Sequence, residues 1–180
     1  MIGVINKQDS TVSEFERIER DLSGSKLAWV KAIRKSALSR FAELGFPTRR
    51  DEQWQFTDIR PITEIPFKLG MKVDFDVTRA REIIAAYPFG AIPSHQLVFV
   101  NGNYSPELSS LQGGDEFVVG NLAAFFETDM QDVVASHLAR YADVQNHAFT
   151  ALNTAFFHDG AFIRLPKGKA INLPVHLIFV

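Results

Sequence analysis

The feature that most constrains this chain is the pattern of residues 152–180, LNTAFFHDGAFIRLPKGKAINLPVHLIFV. Two short apolar runs, residues 161–165 and 175–180, are rich in β-branched and aromatic side chains and are separated by a polar loop with Pro166 and Pro174. Runs of this kind, bounded by turn-forming residues, predict two β-strands. The second run presents apolar side chains and an unpaired strand edge that another segment should cover. We therefore expect a truncated fragment, the N-terminal piece of a longer protein, with an open strand that favours self-association.

Helical periodicity dominates the start of the chain. A short helix is predicted from Thr11, followed by a longer helix that Ser25 can cap and that Gly45 ends. The longer helix carries one apolar stripe, and its basic residues, Arg34 among them, are expected on or near the solvent side. The expected buried residues are Phe15, Ile18 and Leu22 in the short helix and Val30, Ile33, Ala37, Phe41 and Leu44 in the long one.

The middle of the chain alternates between a connector, short strands and helices. Two prolines exclude a continuous helix in residues 48–69, which we interpret as a connector with one helical turn near residues 51–56. Asn101-Gly102 is the strongest hairpin signal, since both positions tolerate positive φ. The other predicted elements are a helix from Asp76 or Thr78 through Tyr87 that Pro88 ends, strands at residues 95–100, 103–105 and 115–119, the last ended by Gly120, and helices at residues 122–126, 130–141 and 145–157.

Composition excludes several kinds of chemistry. The chain has no cysteine, so disulfides and thiolate ligands for zinc or iron–sulfur centres are impossible. Its 19 basic and 21 acidic residues are nearly balanced, which argues against nucleic acid and membrane partners. The first ten residues lack the pattern of a signal peptide, and no apolar run approaches the roughly 18 residues of a membrane span. We expect a cytoplasmic protein.

The remaining residues predict no catalytic, cofactor-binding or metal site. No two histidines have the i, i+4 spacing that places two ligands on one helical face. We interpret them as scattered core or surface residues, and Asp159 beside one of them as a turn residue. The chain also lacks a nucleophile elbow and a phosphate-binding loop. The five histidines are His95, His137, His147, His158 and His176.

A charged run, Arg49-Arg50-Asp51-Glu52, could form a docking surface or a solvated turn. We favour the turn, because opposite charges can satisfy one another there and exposed pairs contribute little stability. The aromatic residues that follow at positions 54 and 56 are expected to be buried anchors of the connector.

Two segments resemble the SufB/SufD family. They are PTRRDEQWQFTDI at residues 47–59, and LNTAFF, DGAFI and LPKG within residues 152–168. The length of chain before the first segment and the Asn101-Gly102 hairpin make the chain most similar to SufD.

The residue pattern predicts an α+β fold, with an N-terminal helical domain that contains a small sheet, and the resemblance implies that it leads into the first rung of a right-handed parallel β-helix. The predicted division is a flexible N-terminus at residues 1–10, a mixed helical domain at 11–158, and the start of the β-helix at 159–180. It also implies a non-catalytic scaffold subunit of the SUF iron–sulfur cluster assembly machinery. Such a subunit acts with a SufB-type partner and a SufC-type ABC ATPase.

Two other classes remain open. The first is the helical front domain of a carbohydrate-acting or carbohydrate-binding β-helix protein, which would need paired carboxylates on its strands. Residues 161–180 contain neither Asp nor Glu, which counts against that reading. The second is a free-standing adaptor, which an apolar C-terminal strand disfavours.

Overall fold

The computed structural model describes residues 7–65, 74–87, 92–111 and 117–180. None of the helices in these ranges is both long enough and apolar enough to cross a lipid bilayer. The helices are α1 (Lys7–Ile18), α2 (Ala28–Leu44), α3 (Arg60–Thr63), α4 (Val77–Ala86), α5 (Leu122–Phe125), α6 (Gln131–His137) and α7 (Ala148–Phe156), with a 3₁₀ turn at Glu52–Trp54; the strands are β1 (His95–Val100), β2 (Asn103–Tyr104), β3 (Val118–Asn121), β4 (Ala161–Arg164) and β5 (Val175–Phe179).

The chain forms two compact units, each from two separate segments. Residues 1–69 and 132–157 make up the first, and residues 70–131 and 158–180 the second. In the described ranges, the elements of the first unit are helices, and the strands β1 to β5 all belong to the second. The domain boundaries implied by the family resemblance stay a prediction.

In the helical unit, the core forms where α2 packs along α7. Buried residues of α2, including Ala37 and Phe41, share this core with two small residues of α7, Ala151 and Ala155, which have no exposed surface. Small side chains let the two helix backbones approach closely. The predicted apolar face of α1 is confirmed, since its residues are buried and Phe15 meets the α7 ring of Phe156 edge to face at 5.6 Å.

The two ends of α2 were predicted with unequal success. Gly45 ends the helix as expected: its φ is 68° and its N–H donates to Phe41 O at 2.8 Å. The predicted cap at Ser25 is wrong, because Ser25 does not cap the helix. The N-cap is Leu27, without a side-chain hydrogen bond, while Ser25 Oγ donates to Arg20 O at 2.9 Å within the preceding turn.

In the sheet-containing unit, β1 is the central strand of a three-stranded sheet in the order β2-β1-β5. The predicted hairpin is confirmed, with Asn101 and Gly102 at φ 48° and 81° between antiparallel β1 and β2. The predicted cap of α4 is confirmed as well, because the Asp76 carboxylate accepts from the backbone N–H groups of Thr78 and Arg79. The helix ends at Ala86, and Pro88 lies outside the described residues.

The C-terminal strand β5 is paired along one of its two edges. It pairs in parallel with β1 over its whole length, and Val180 N–H donates to Phe99 O at 2.9 Å. Ile178 and Val180 pack against a core of α4 and β1 residues that includes Val98. Lysine at either position would therefore place a charge against that core. Among the described residues, no strand pairs with the other edge of β5.

The second sheet pairs β3 and β4 antiparallel. β3 continues through Gly120 to Asn121 rather than ending at Gly120, and the predicted start at Asp115 lies outside the described residues. A Cβ at Gly120 would lie 2.9 Å from the Phe125 ring, so a larger residue there would require the ring to move. That ring in turn packs on Phe162 of β4 at 4.4 Å.

Two predicted helices are shorter than expected. α6 ends at His137 rather than Tyr141, because Ala139 adopts φ 57°, and the Tyr141 side chain is 78% exposed. α7 begins at Ala148 rather than residue 145, because the Asp143 carboxylate binds the backbone N–H groups of the next turn. Local side-chain hydrogen bonds thus compete with the apolar periodicity.

Candidate functional site

The histidines do not assemble into a site. His95 is buried against the Phe117 ring at 4.9 Å, and His147 lies 3.9 Å from the Asp143 carboxylate at the protein surface. His176 lies beside the Tyr87 ring. Within the described ranges, no group of three His, Asp or Glu side chains could hold a metal ion.

Asp159 does more than end the helical region. Its carboxylate accepts from Ala123 N–H at 2.9 Å and from Asn121 Nδ2 at 2.8 Å, in addition to its own turn at Gly160. Leu122 N–H also donates to Gly160 O at 2.6 Å. These contacts fasten the start of β4 to the start of α5, which is a structural role.

Arg34 is the main departure from expectation in the helical unit. It was predicted near solvent on α2, yet it has no exposed surface. Its Nη2 donates to Ser23 O at 2.6 Å and to Phe157 O at 2.8 Å, and its guanidinium lies 4.3 Å from the Phe157 ring centre. One side chain thus ties α2 to the turn after α1 and to the residue that follows α7. We call this arrangement the Arg34 clamp.

The Arg34 clamp retains charge inside the core. Burial lowers the pKa of Arg34 to about 10, and the nearby Glu19 carboxylate opposes that shift, so the guanidinium stays protonated at neutral pH. Its Nε and Nη1 atoms are buried and have no hydrogen-bond partner among the residues that the structure describes. The Glu19 carboxylate forms a long ion pair of 3.6 Å with Lys35. The clamp fixes three segments, and the Arg34 side chain within it is fully buried.

A signal for the clamp was present in the helical spacing. Val30, Arg34, Ala37 and Phe41 step by four, three and four residues, and all four side chains are buried. The predicted stripe took Ile33 in place of Arg34, because an apolar residue is the ordinary choice, but Ile33 is only half-buried. A charged residue in a buried register is informative because it must find partners there.

Three arginines line an open groove of about 690 Å³ elsewhere in the helical unit. We call it the arginine groove; Phe46, Pro47, Thr48, Arg49, Arg50, Thr57, Asp58, Ile59, Arg60 and Thr63 line it. Its back is held by aromatic contacts, in which Phe46 packs on Phe41 at 5.0 Å and on Phe149 of α7 at 6.0 Å. Ile59 is buried, so the groove has a fixed apolar floor.

The turn at one wall of the arginine groove is fixed locally. The Asp51 carboxylate accepts from Thr48 N–H at 2.6 Å and from Thr48 Oγ1 at 3.0 Å, and these bonds lower the pKa of Asp51. The predicted helical turn is confirmed as the 3₁₀ turn at Glu52–Trp54. The Asp51 carboxylate therefore accepts hydrogen bonds from Thr48 and forms no ion pair with the neighbouring arginines of the described chain.

The opposite wall carries a tight ion pair. Arg60 donates to the Asp58 carboxylate through Nε at 2.9 and 3.0 Å and through Nη2 at 2.5 Å. Hydrogen bonding by Arg60 is the main cause that lowers the pKa of Asp58 to about 2. Arg49 and Arg50 are exposed and form no ion pair within the described part of the chain; Arg49 Nε reaches only Gln55 O, at 3.4 Å.

One of the two predicted aromatic anchors is wrong. Trp54 is half-buried and contacts the Phe149 ring at 5.2 Å, as an anchor should. Phe56 is 87% exposed, because the 3₁₀ turn brings Trp54 inward and leaves Phe56 facing solvent.

The arginine groove can bind carboxylates through its arginines, but the residues that line it include no Ser, Cys or His arranged as a nucleophile and base.

Comparison with known proteins settles the family. A family profile described as the SufBD protein N-terminal region matches residues 5–177. The chain belongs to the SufBD family. It is 31% identical over 161 residues to an iron–sulfur cluster assembly SufBD family protein of Synechocystis sp., a match that covers 88% of this chain. The match covers 34% of that relative, so this SufBD chain spans about a third of its length.

Proposed function

We propose that this chain is the N-terminal part of a SufD-type scaffold subunit that acts in iron–sulfur cluster assembly. The observation that carries the proposal is the family match across residues 5–177, together with a relative whose name states iron–sulfur cluster assembly. The longer protein would act with a SufB-type subunit and a SufC-type ATPase, and the cluster would be cargo of the complex. The scaffold role is non-catalytic, and the proposed location is the cytoplasm.

The β-helix continuation is part of the same proposal, and the sheet supplies its support. β1 and β5 run parallel and in register, so that like side chains lie opposite each other. The Phe99 and Phe179 rings stack at 5.3 Å with an interplanar angle of 18°. Such ladders of like side chains are what stacked parallel strands produce. The opposed pairs are Leu97 with Leu177, Val98 with Ile178, and Phe99 with Phe179.

The test uses the full-length protein that contains this chain. Tagged full-length protein, co-expressed with SufB-type and SufC-type proteins of the same organism, should purify with both and elute as one complex. Recovery of the tagged protein alone would overturn the scaffold proposal. A structure of the full-length protein should show a parallel strand on the outer edge of β5; a helix there would overturn the β-helix part.

A further inference from the structure

The arginine groove has a charge that its own residues do not cancel. Among its lining residues, Arg60 is already used by Asp58, but Arg49 and Arg50 form no ion pair in the described part of the chain. The neighbouring Asp51 is held by Thr48. Two guanidinium groups therefore remain for an incoming carboxylate, which arginine binds in bidentate geometry.

The groove also combines charge with apolar surface. Its floor is formed by Phe46 and the buried Ile59, and three exposed apolar side chains occur within and just beyond the same stretch of chain. Single exposed apolar residues are ordinary, so these three only add apolar surface to the segment that forms the groove. The exposed residues are Phe56, Ile62 and Ile65.

We propose that the arginine groove binds an acidic, extended peptide segment of another protein. In this arrangement a Glu or Asp of the partner pairs with Arg49 and Arg50, and a neighbouring apolar side chain lies on the floor at Phe46 and Ile59. The inference goes beyond the scaffold role, because it depends on the groove and not on cluster assembly.

A peptide fits these observations better than a nucleic acid does. The whole chain has a formal net charge of −2, so it creates no extended field for a polyanion. A protein that binds nucleic acid tightly can make about six to ten phosphate contacts, more than the two exposed arginines of the groove can supply.

Binding of defined probes to the 180-residue chain tests this proposal. Fluorescence anisotropy would compare a labelled peptide of alternating glutamate and leucine, the same peptide with glutamine replacing glutamate, and a single-stranded DNA of equal length. The test variant is the double substitution Arg49→Gln and Arg50→Gln. The matched control is Arg17→Gln with Arg79→Gln, which removes the same charge from exposed arginines outside the groove.

The acidic peptide should bind, and the groove variant should weaken that binding about tenfold or more, as expected when charge-assisted hydrogen bonds are lost. The control variant should bind within about twofold of the parent, since exposed charges outside the groove act only at long range. Circular dichroism should show both variants folded, because the substituted side chains are on the surface. Equal losses in both variants, equal binding of the glutamine peptide, tighter binding of the DNA, or no binding at all would each overturn the proposal.

Discussion

Two arginine sites of the helical unit show opposite uses of the same side chain. Arg34 is fully buried and donates to two backbone carbonyls, Ser23 O and Phe157 O. Arg60 keeps 74% of its side chain in water and donates to a carboxylate. The number of hydrogen bonds alone therefore does not measure how much a side chain stabilises the fold. The Arg60–Asp58 pair has more hydrogen bonds than Arg34, but water would replace most of them.

The energetic consequence follows from desolvation. Removing Arg34 takes its two charged hydrogen bonds away from the partly buried carbonyls of Ser23 and Phe157, and losing buried hydrogen bonds is costly. When Arg60 is removed, water can replace its hydrogen bonds to the Asp58 carboxylate. Stability should therefore depend on the Arg34 clamp, whereas binding should depend on the arginine groove.

The largest expected effect comes from Arg34→Ala. It should lower the free energy of unfolding by about 2–4 kcal/mol, through the lost charged hydrogen bonds and the cavity left behind. Urea unfolding followed by circular dichroism measures this. Arg34→Met is the matched control, since it keeps most of the volume and removes the buried charge, and it should cost less than alanine. An alanine variant as stable as the parent would remove the contrast between the two sites.

A smaller loss is expected from Phe157→Leu. This change keeps the Phe157 carbonyl that accepts from Arg34 but removes the ring under the guanidinium. A desolvated cation–π contact contributes about 1–2 kcal/mol. The same loss should be much reduced in an Arg34→Met background, so a double-mutant cycle measures the contact. Independent, additive effects would mean that the ring packs without interacting with the charge.

A still smaller effect on stability, which depends on pH, is expected at the exposed Arg60–Asp58 ion pair. The pKa of Asp58 is lowered to about 2 in the folded chain, below the unfolded value of about 3.9. The stability contributed by its ionised form is therefore present above about pH 4 and is lost as the pH falls toward 2. The unfolding midpoints of the parent and Asp58→Asn should differ slightly at pH 6 and converge near pH 2. A difference that grows on acidification would have the wrong sign for this pair.

The smallest effect on stability is expected from Arg49→Gln with Arg50→Gln. Both side chains are exposed and form no ion pair within the described residues, so the urea midpoint should not change measurably. Thermal unfolding of this variant beside Arg34→Ala compares the two sites directly. A marked loss of stability would mean that these arginines support the fold, and it would weaken the case for the groove as a binding surface.

Much of the fold could be predicted because its signals are local. The hairpin at Asn101 and Gly102 depends on two positive φ values, and the end of α2 depends on Gly45. The pairing of β5 with β1 could not be predicted in this way, because it joins distant segments whose match is a matter of register. Periodicity also could not show that Ala139 breaks α6.

The sites were harder to predict than the elements. Phe56 has the composition of an anchor, and only the phase of the 3₁₀ turn decides that Trp54 is inward and Phe56 outward. The charged run at residues 49–52 was interpreted as self-neutralised, whereas Asp51 is occupied by Thr48. Charge pairing depends on side-chain direction, which adjacency in sequence does not determine.

The parallel pairing of β1 with β5 has a consequence for the order of synthesis. His95 pairs with Val175, so the two strands are separated by roughly eighty residues, and contacts of that span slow folding. On the ribosome, Leu97 and Phe99 emerge long before their partners on β5. At a translation rate of about 5–20 residues per second, β1 waits several seconds with one edge unpaired. An unpaired strand edge of this kind makes a folding intermediate prone to aggregation.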